Sequence, residues 1–249
     1  MPVVIGTVTL VIPVSTLFVS ARAFARTYFH PKHHAEDWLS YLAWVGLVAY
    51  TGILIPASRE GLSQHQRDVT VAQFVNITYY INILSCIYAP TTLAAKLSVL
   101  LQIKRIFTTG ARDRVYWAIV VSIAANSLFY TAECSIHVFS CWPRERILDP
   151  RVPGHCLYNV EDGVIERVFL ANVGPGTANF FSDVFALALP AWAIWKLQMP
   201  VRRKLEEAYA VFGVGALACV VGAAGLYLRI RSALDEDFAW LATQSQLLM

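Results

Sequence analysis

Residues 38–55 of this chain, WLSYLAWVGLVAYTGILI, contain no charged side chain. A helix rises about 1.5 Å per residue and the hydrocarbon core of a bilayer is about 30 Å thick, so about 20 apolar residues cross it. Five more runs of similar character lie at 3–21, 75–103, 115–139, 168–197 and 208–228. They are too long for strands and lack the two-residue alternation of a barrel. The pattern predicts an all-α fold: a polytopic transmembrane helix bundle of about six helices, forming one membrane-embedded domain over 1–249.

Composition agrees and removes other classes. The chain is 57% apolar and 15% charged, against about 45–50% and about 25% for soluble domains. Its net charge of +3 is small and scattered, which argues against nucleic-acid binding. The cysteines show no CxxC or Cys/His spacing suited to zinc. The first apolar run is followed, rather than preceded, by Arg22 and Arg26. It therefore reads as an uncleaved helix and not as a secretory signal.

Orientation follows from Lys and Arg. The connections at 22–37, 104–114 and 196–207 hold eleven basic residues against five acids, while 59–68, 140–167 and 229–249 hold eight against ten. By the positive-inside tendency the first set is cytoplasmic. The N-terminus and the longest connection, 140–167, are then non-cytoplasmic, and 229–249 is a polar tail. In an oxidising compartment Cys141 and Cys156 of the 140–167 loop either pair as a disulfide or stay as free thiols, and pairing is the expectation. Six crossings return the C-terminus to the side of the N-terminus.

Several segments together resemble the fungal rhodopsin-domain family of integral membrane proteins. They are Arg22 and Arg26 before Glu36-Asp37-Trp38, Gly61-Leu62 with His65, and Lys96-Leu97-Ser98 with Arg105-Ile106-Phe107. Cys141-x-Pro143 with Cys156 follows, then Asn179-Phe180-Phe181-Ser182-Asp183, Leu189-Pro190, Trp195-Lys196-Leu197-Gln198-Met199 and Arg203-Lys204. The resemblance spans essentially the whole chain and implies a seven-helix, receptor-like topology. Asp235, Glu236 and Asp237 look like the acidic loop that precedes the family's seventh helix, which is expected to be absent here.

Chemistry is concentrated in few places. An ionisable group at membrane depth costs several kcal/mol unless it meets a partner, so Lys96 and Asp183 are expected to form an ion pair. That pair is either a ligand-gripping switch or a static staple between helices. Asn179 shares the Asp183 face, and Asn82 and Asn126 are interior amides able to bond between helices. Glu133 and His137 share a face at i,i+4. Half a metal site is conceivable there, with a polar cluster under the outer loop as the default. The HPKHH stretch containing His30, His33 and His34 reads as an exposed linker. Arg202, Arg203 and Lys204 are available to anionic lipid or a cytoplasmic signalling partner.

No GxxxxGK[ST], GxSxG or HExxH motif is present, and no pattern implies a cofactor or a bound metal. Three functions fit this sequence. One is a receptor or sensor for a small apolar ligand. Another is a membrane-embedded enzyme or accessory factor acting on a lipophilic intermediate of secondary metabolism, with Asp183, Lys96 or Glu133 as acid/base candidates. The third is a small-molecule transporter, for which the helix breakers Gly174-Pro175-Gly176 are the one local hint.

Overall fold

The computed structural model describes residues 2–29, 33–62, 70–107, 114–148, 152–156, 164–196, 215–217 and 219–231. The long apolar runs form helices α1 (Pro2–Phe29), α2 (Ala35–Ala57), α3 (Val71–Phe107), α4 (Arg114–Val138) and α5 (Val164–Lys196). A sixth helical stretch, α6, covers 215–217 and 219–231. A π-helical turn, Ser58–Leu62, closes α2, and a 3-10 turn, Arg144–Ile147, follows α4. Among the described residues, four segments are long and apolar enough to cross a membrane: Val4–Tyr28, Ala35–Leu62, Val75–Arg105 and Arg114–Val138. Their outward faces carry large apolar side chains such as Leu10, Leu17, Phe18 and Leu128. Water would not tolerate that surface, and lipid does.

Proline does not interrupt these helices. Pro13, Pro56 and Pro90 lie inside α1, α2 and α3, and α5 runs unbroken through Gly174-Pro175-Gly176. The discontinuity expected there is not formed. In a bilayer the helix keeps its remaining backbone bonds because no water is present to replace them.

Two apolar clusters hold the bundle. Near one end, Val4 and Val8 of α1 meet Tyr50 and Leu54 of α2 and Ile77 and Leu84 of α3. At the other, Leu100 and Ile103 of α3 meet Val115 and Ile119 of α4 and Leu189 of α5. Close approach of α2 and α3 depends on Gly46, where a Cβ would collide with the Thr91 side chain. Small residues at such crossings let backbones come near enough for dispersion to hold them, since lipid supplies no hydrophobic drive.

The first end is closed by a two-residue antiparallel pair, β1 (Cys141–Trp142) and β2 (His155–Cys156), with Cys141 opposite Cys156. These two cysteines form a disulfide. Arg146 braces the same loop, donating to the carbonyls of Val152 and Gly154. Because α5 already begins at Val164, the connection is shorter than 140–167.

Candidate functional site: two ionic clusters in the bundle

Lys96 sits on the face of α3 that turns toward α4 and α5. Its Nζ lies 2.8 Å from Asp183 Oδ1 and donates to the Asn179 carbonyl at 3.2 Å. Asn179 and Asp183 are four residues apart and so share a face of α5. Asn126 and Tyr130 repeat that spacing on α4, and the two faces meet. Tyr130 Oη donates to Asn179 Oδ1 at 2.5 Å, and Ser182 Oγ donates to Asn126 Oδ1 at 2.7 Å. The Lys96 ammonium also stands 5.6 Å from the centre of the Tyr130 ring, within range of a cation–π attraction. Lys96, Asp183, Asn179 and Asn126 are thus brought together, and Tyr130 and Ser182 join them.

Asn82 does not belong to this network. Its amide donates to Ser140 Oγ at 3.0 Å and the His137 carbonyl at 3.2 Å, and it accepts from Arg144 at 3.3 Å. It ties α3 to the disulfide-bearing end. Interior position in the sequence gave no depth for it, because α3 is longer than the bilayer core and Asn82 lies toward its start.

Glu133 lies one turn beyond Tyr130 on α4. Its Oε2 is enclosed by protein and has no hydrogen-bond partner among the described residues. The carboxylate interacts electrostatically with Lys96 and with Arg229. Arg229 is the largest departure from the sequence reading, which ended the last span at 228 and placed this residue in a polar tail. The helix instead continues to 231 and Arg229 is 8% exposed. Space for it comes from α5: a Cβ on Gly176 would stand 2.8 Å from Arg229 Cδ. A charge ends an apolar run by hydropathy, yet a neighbouring acid and a missing side chain let the bundle absorb it. Arg202, Arg203 and Lys204, and residues 232–249 of the tail, lie outside the described residues.

The second cluster sits at the end opposite the disulfide, and the sequence reading did not single it out as a site. Asp37, fully buried, accepts through Oδ1 from Arg22 at 3.0 Å and Arg26 at 3.1 Å, and through Oδ2 from the His34 N–H at 3.1 Å. Glu36 Oε1 takes Arg26 at 3.0 Å and Arg105 at 2.8 Å. Ser98 of α3 donates to the Glu36 carbonyl at 2.7 Å, and Arg22 donates to Gln102 at 3.1 Å. Three helices are thereby knotted through two carboxylates. His34, Glu36 and Asp37 offer ligand atoms within 4.8 Å of one another, but three guanidiniums already occupy the acids, so a cation has little left to bind. The available signal was a pair of acids opening a helix inside the most basic connection of the chain.

Long apolar helices with ionised groups hidden between them define a polytopic integral membrane protein. More narrowly, the chain belongs to the fungal rhodopsin domain family, whose domain matches residues 21–248. It is 30% identical over 189 residues to a SAT4 family membrane protein of Emericella nidulans, covering 76% of this chain and 47% of that one. It is 25% identical over 223 residues to Fugralins biosynthesis cluster protein 2 of Gibberella zeae (88% and 53% covered). Over 200 residues it is 27% identical to Polyenoic acids biosynthesis gene cluster protein Ba17b of Metarhizium anisopliae (78% and 51% covered). The chain therefore spans about half the length of the curated relatives it matches. No solved structure matches it.

Proposed function

We propose that this protein is a receptor or sensor that binds a small, largely apolar ligand among α3, α4, α5 and α6. The observation that carries this reading is the Lys96–Asp183 pair at 2.8 Å within the bundle, beside a Glu133 oxygen that has no hydrogen-bond partner among the described residues. Ionised side chains at this depth are expensive, and a structural staple needs no unmet acceptor next to it. Helix α3 supports a signalling role. Two residues past Lys96, Ser98 holds the Glu36 carbonyl, and Arg105 holds the Glu36 carboxylate. A ligand that shifts Lys96 therefore strains the knot at the far end. In the orientation read from Lys and Arg, that end faces the cytoplasm, with Arg202, Arg203 and Lys204 offered to a signalling partner.

A second reading is favoured by the relatives' names: two are described as proteins of biosynthesis clusters. In it the same site holds a lipophilic intermediate and the protein serves as an accessory factor or enzyme, with Lys96, Asp183 and Glu133 as acid/base groups. Metabolite profiling after gene deletion separates the two. Loss of one product with build-up of its precursor supports the second. An unchanged profile, with saturable binding of an extracted lipophile to the purified protein that Lys96→Met abolishes, supports the first. Absence of both results rejects each.

A further inference from the structure

We infer that the ligand of this site carries a neutral hydrogen-bond donor, an alcohol, phenol or amide N–H, which is received by Glu133 Oε2 while Arg229 acts as a positioning residue. The inference rests on the ligand-binding reading and adds the chemical class to it. It starts from the charge balance. Among the described residues, Lys96 and Arg229 supply two positive groups, and Asp183 and Glu133 supply two negative ones, all from helix interiors. Between apolar helices an added carboxylate or ammonium would leave a net charge with poor solvation. A neutral donor adds none.

The hydrogen-bond inventory points the same way. Lys96 spends its ammonium on Asp183 and the Asn179 carbonyl. Tyr130 spends its hydroxyl on Asn179. Glu133 Oε2 is left as an acceptor without a donor among the described residues. An ionised carboxylate has about four acceptor directions and no donor, so only a donor-bearing group completes it. Arg229 keeps the local charge even, and it reaches the site because α5 carries no side chain at Gly176. Gly174, one residue on the other side of Pro175, meets nothing within 4 Å where a Cβ would be added. It supplies a matched control.

The test uses the full chain in lipid nanodiscs with three tritiated probes of one chain length: dodecanol, dodecanoic acid and dodecylamine. Dodecanol is expected to bind saturably and about tenfold more tightly than either charged probe. Glu133→Gln should shift the preference toward dodecanoic acid, because it removes one negative charge from the site. Arg229→Gln should shift it toward dodecylamine. Gly176→Ala should weaken dodecanol binding severalfold while Gly174→Ala leaves it unchanged. A purely structural role for these residues would lower binding of all three probes together and leave their order intact. Tighter binding of the acid or the amine to the unmodified protein overturns the inferred class, as does an unchanged order in both charge variants. Saturable binding of none of the three to the unmodified protein instead removes the ligand-binding reading itself. Should Glu133→Gln fail to fold, the Arg229→Gln order and the ranking on the unmodified protein still decide the matter.

Discussion

The two ionic clusters use the same chemistry to different ends. In the knot of α1, α2 and α3, each carboxylate is shared: Asp37 serves two guanidiniums and a backbone N–H, and Glu36 serves two more guanidinium contacts. The cluster of α3, α4, α5 and α6 is looser, with one ammonium on one carboxylate oxygen, Asp183 at 25% side-chain exposure, and a Glu133 oxygen without a donor among the described residues. Both sit on α3. Each cluster holds one buried atom without a hydrogen-bond partner among the described residues, Arg22 Nη2 in the knot and Glu133 Oε2 in the other. They differ in that the spare group of the knot is a donor on an arginine already held by Asp37 and Gln102, whereas that of the other is an acceptor. Under the proposed function the first cluster is structural and the second binds the ligand.

The contrast can be broken by mutation. Asp37→Asn should have the largest effect on stability, because two partly buried guanidiniums lose the fully buried charge they share; about 3 kcal/mol is expected, the low end for breaking a buried pair. Thermal unfolding in detergent measures it, and a loss no greater than that of Lys96→Met would erase the distinction. Lys96→Met should destabilise less, by about 2 kcal/mol, since Asp183 is partly exposed and its stranded charge is less costly. Joining Lys96→Asp with Asp183→Lys should restore most of the stability but not ligand binding, and recovery of both would reduce the pair to a staple. Ser98→Ala removes one buried hydrogen bond between α3 and α2, a change of about 1 kcal/mol. If the knot transmits the ligand signal, this variant should also change output at unaltered ligand affinity. Arg105→Ala should do least, about 0–1 kcal/mol, because Arg105 is 43% exposed and solvent screens its bond to Glu36.

Much of this was legible from residues alone. Uncharged runs of membrane-spanning length define helices whatever their neighbours do, because backbone polar groups have no other way to be satisfied in hydrocarbon. The Lys96–Asp183 contact was legible for a related reason, as isolated opposite charges at matching depth have few alternatives to each other. The disulfide followed from two cysteines in one loop on one side. Arg229 was misread because hydropathy records where charge begins and says nothing about which helix face it enters, while Asn82 bonds α3 to α4 as an interior amide can but stands apart from the Lys96 network. Tyr130 gave no signal either, being an ordinary residue of an apolar helix until α4 and α5 are laid side by side, and Ser182 stood out only as part of the Asn179-to-Asp183 block.

Sequence by itself determined the solvent, the helical class and which charges had to find partners, since those follow from the free energy of moving a residue out of water. Tertiary structure alone decided who those partners are. It turned Arg22, Arg26 and Arg105 onto Glu36 and Asp37 and admitted Arg229 past Gly176. Pairing depends on helix rotation and separation, and these are set by packing across the bundle rather than by the order of residues along one helix.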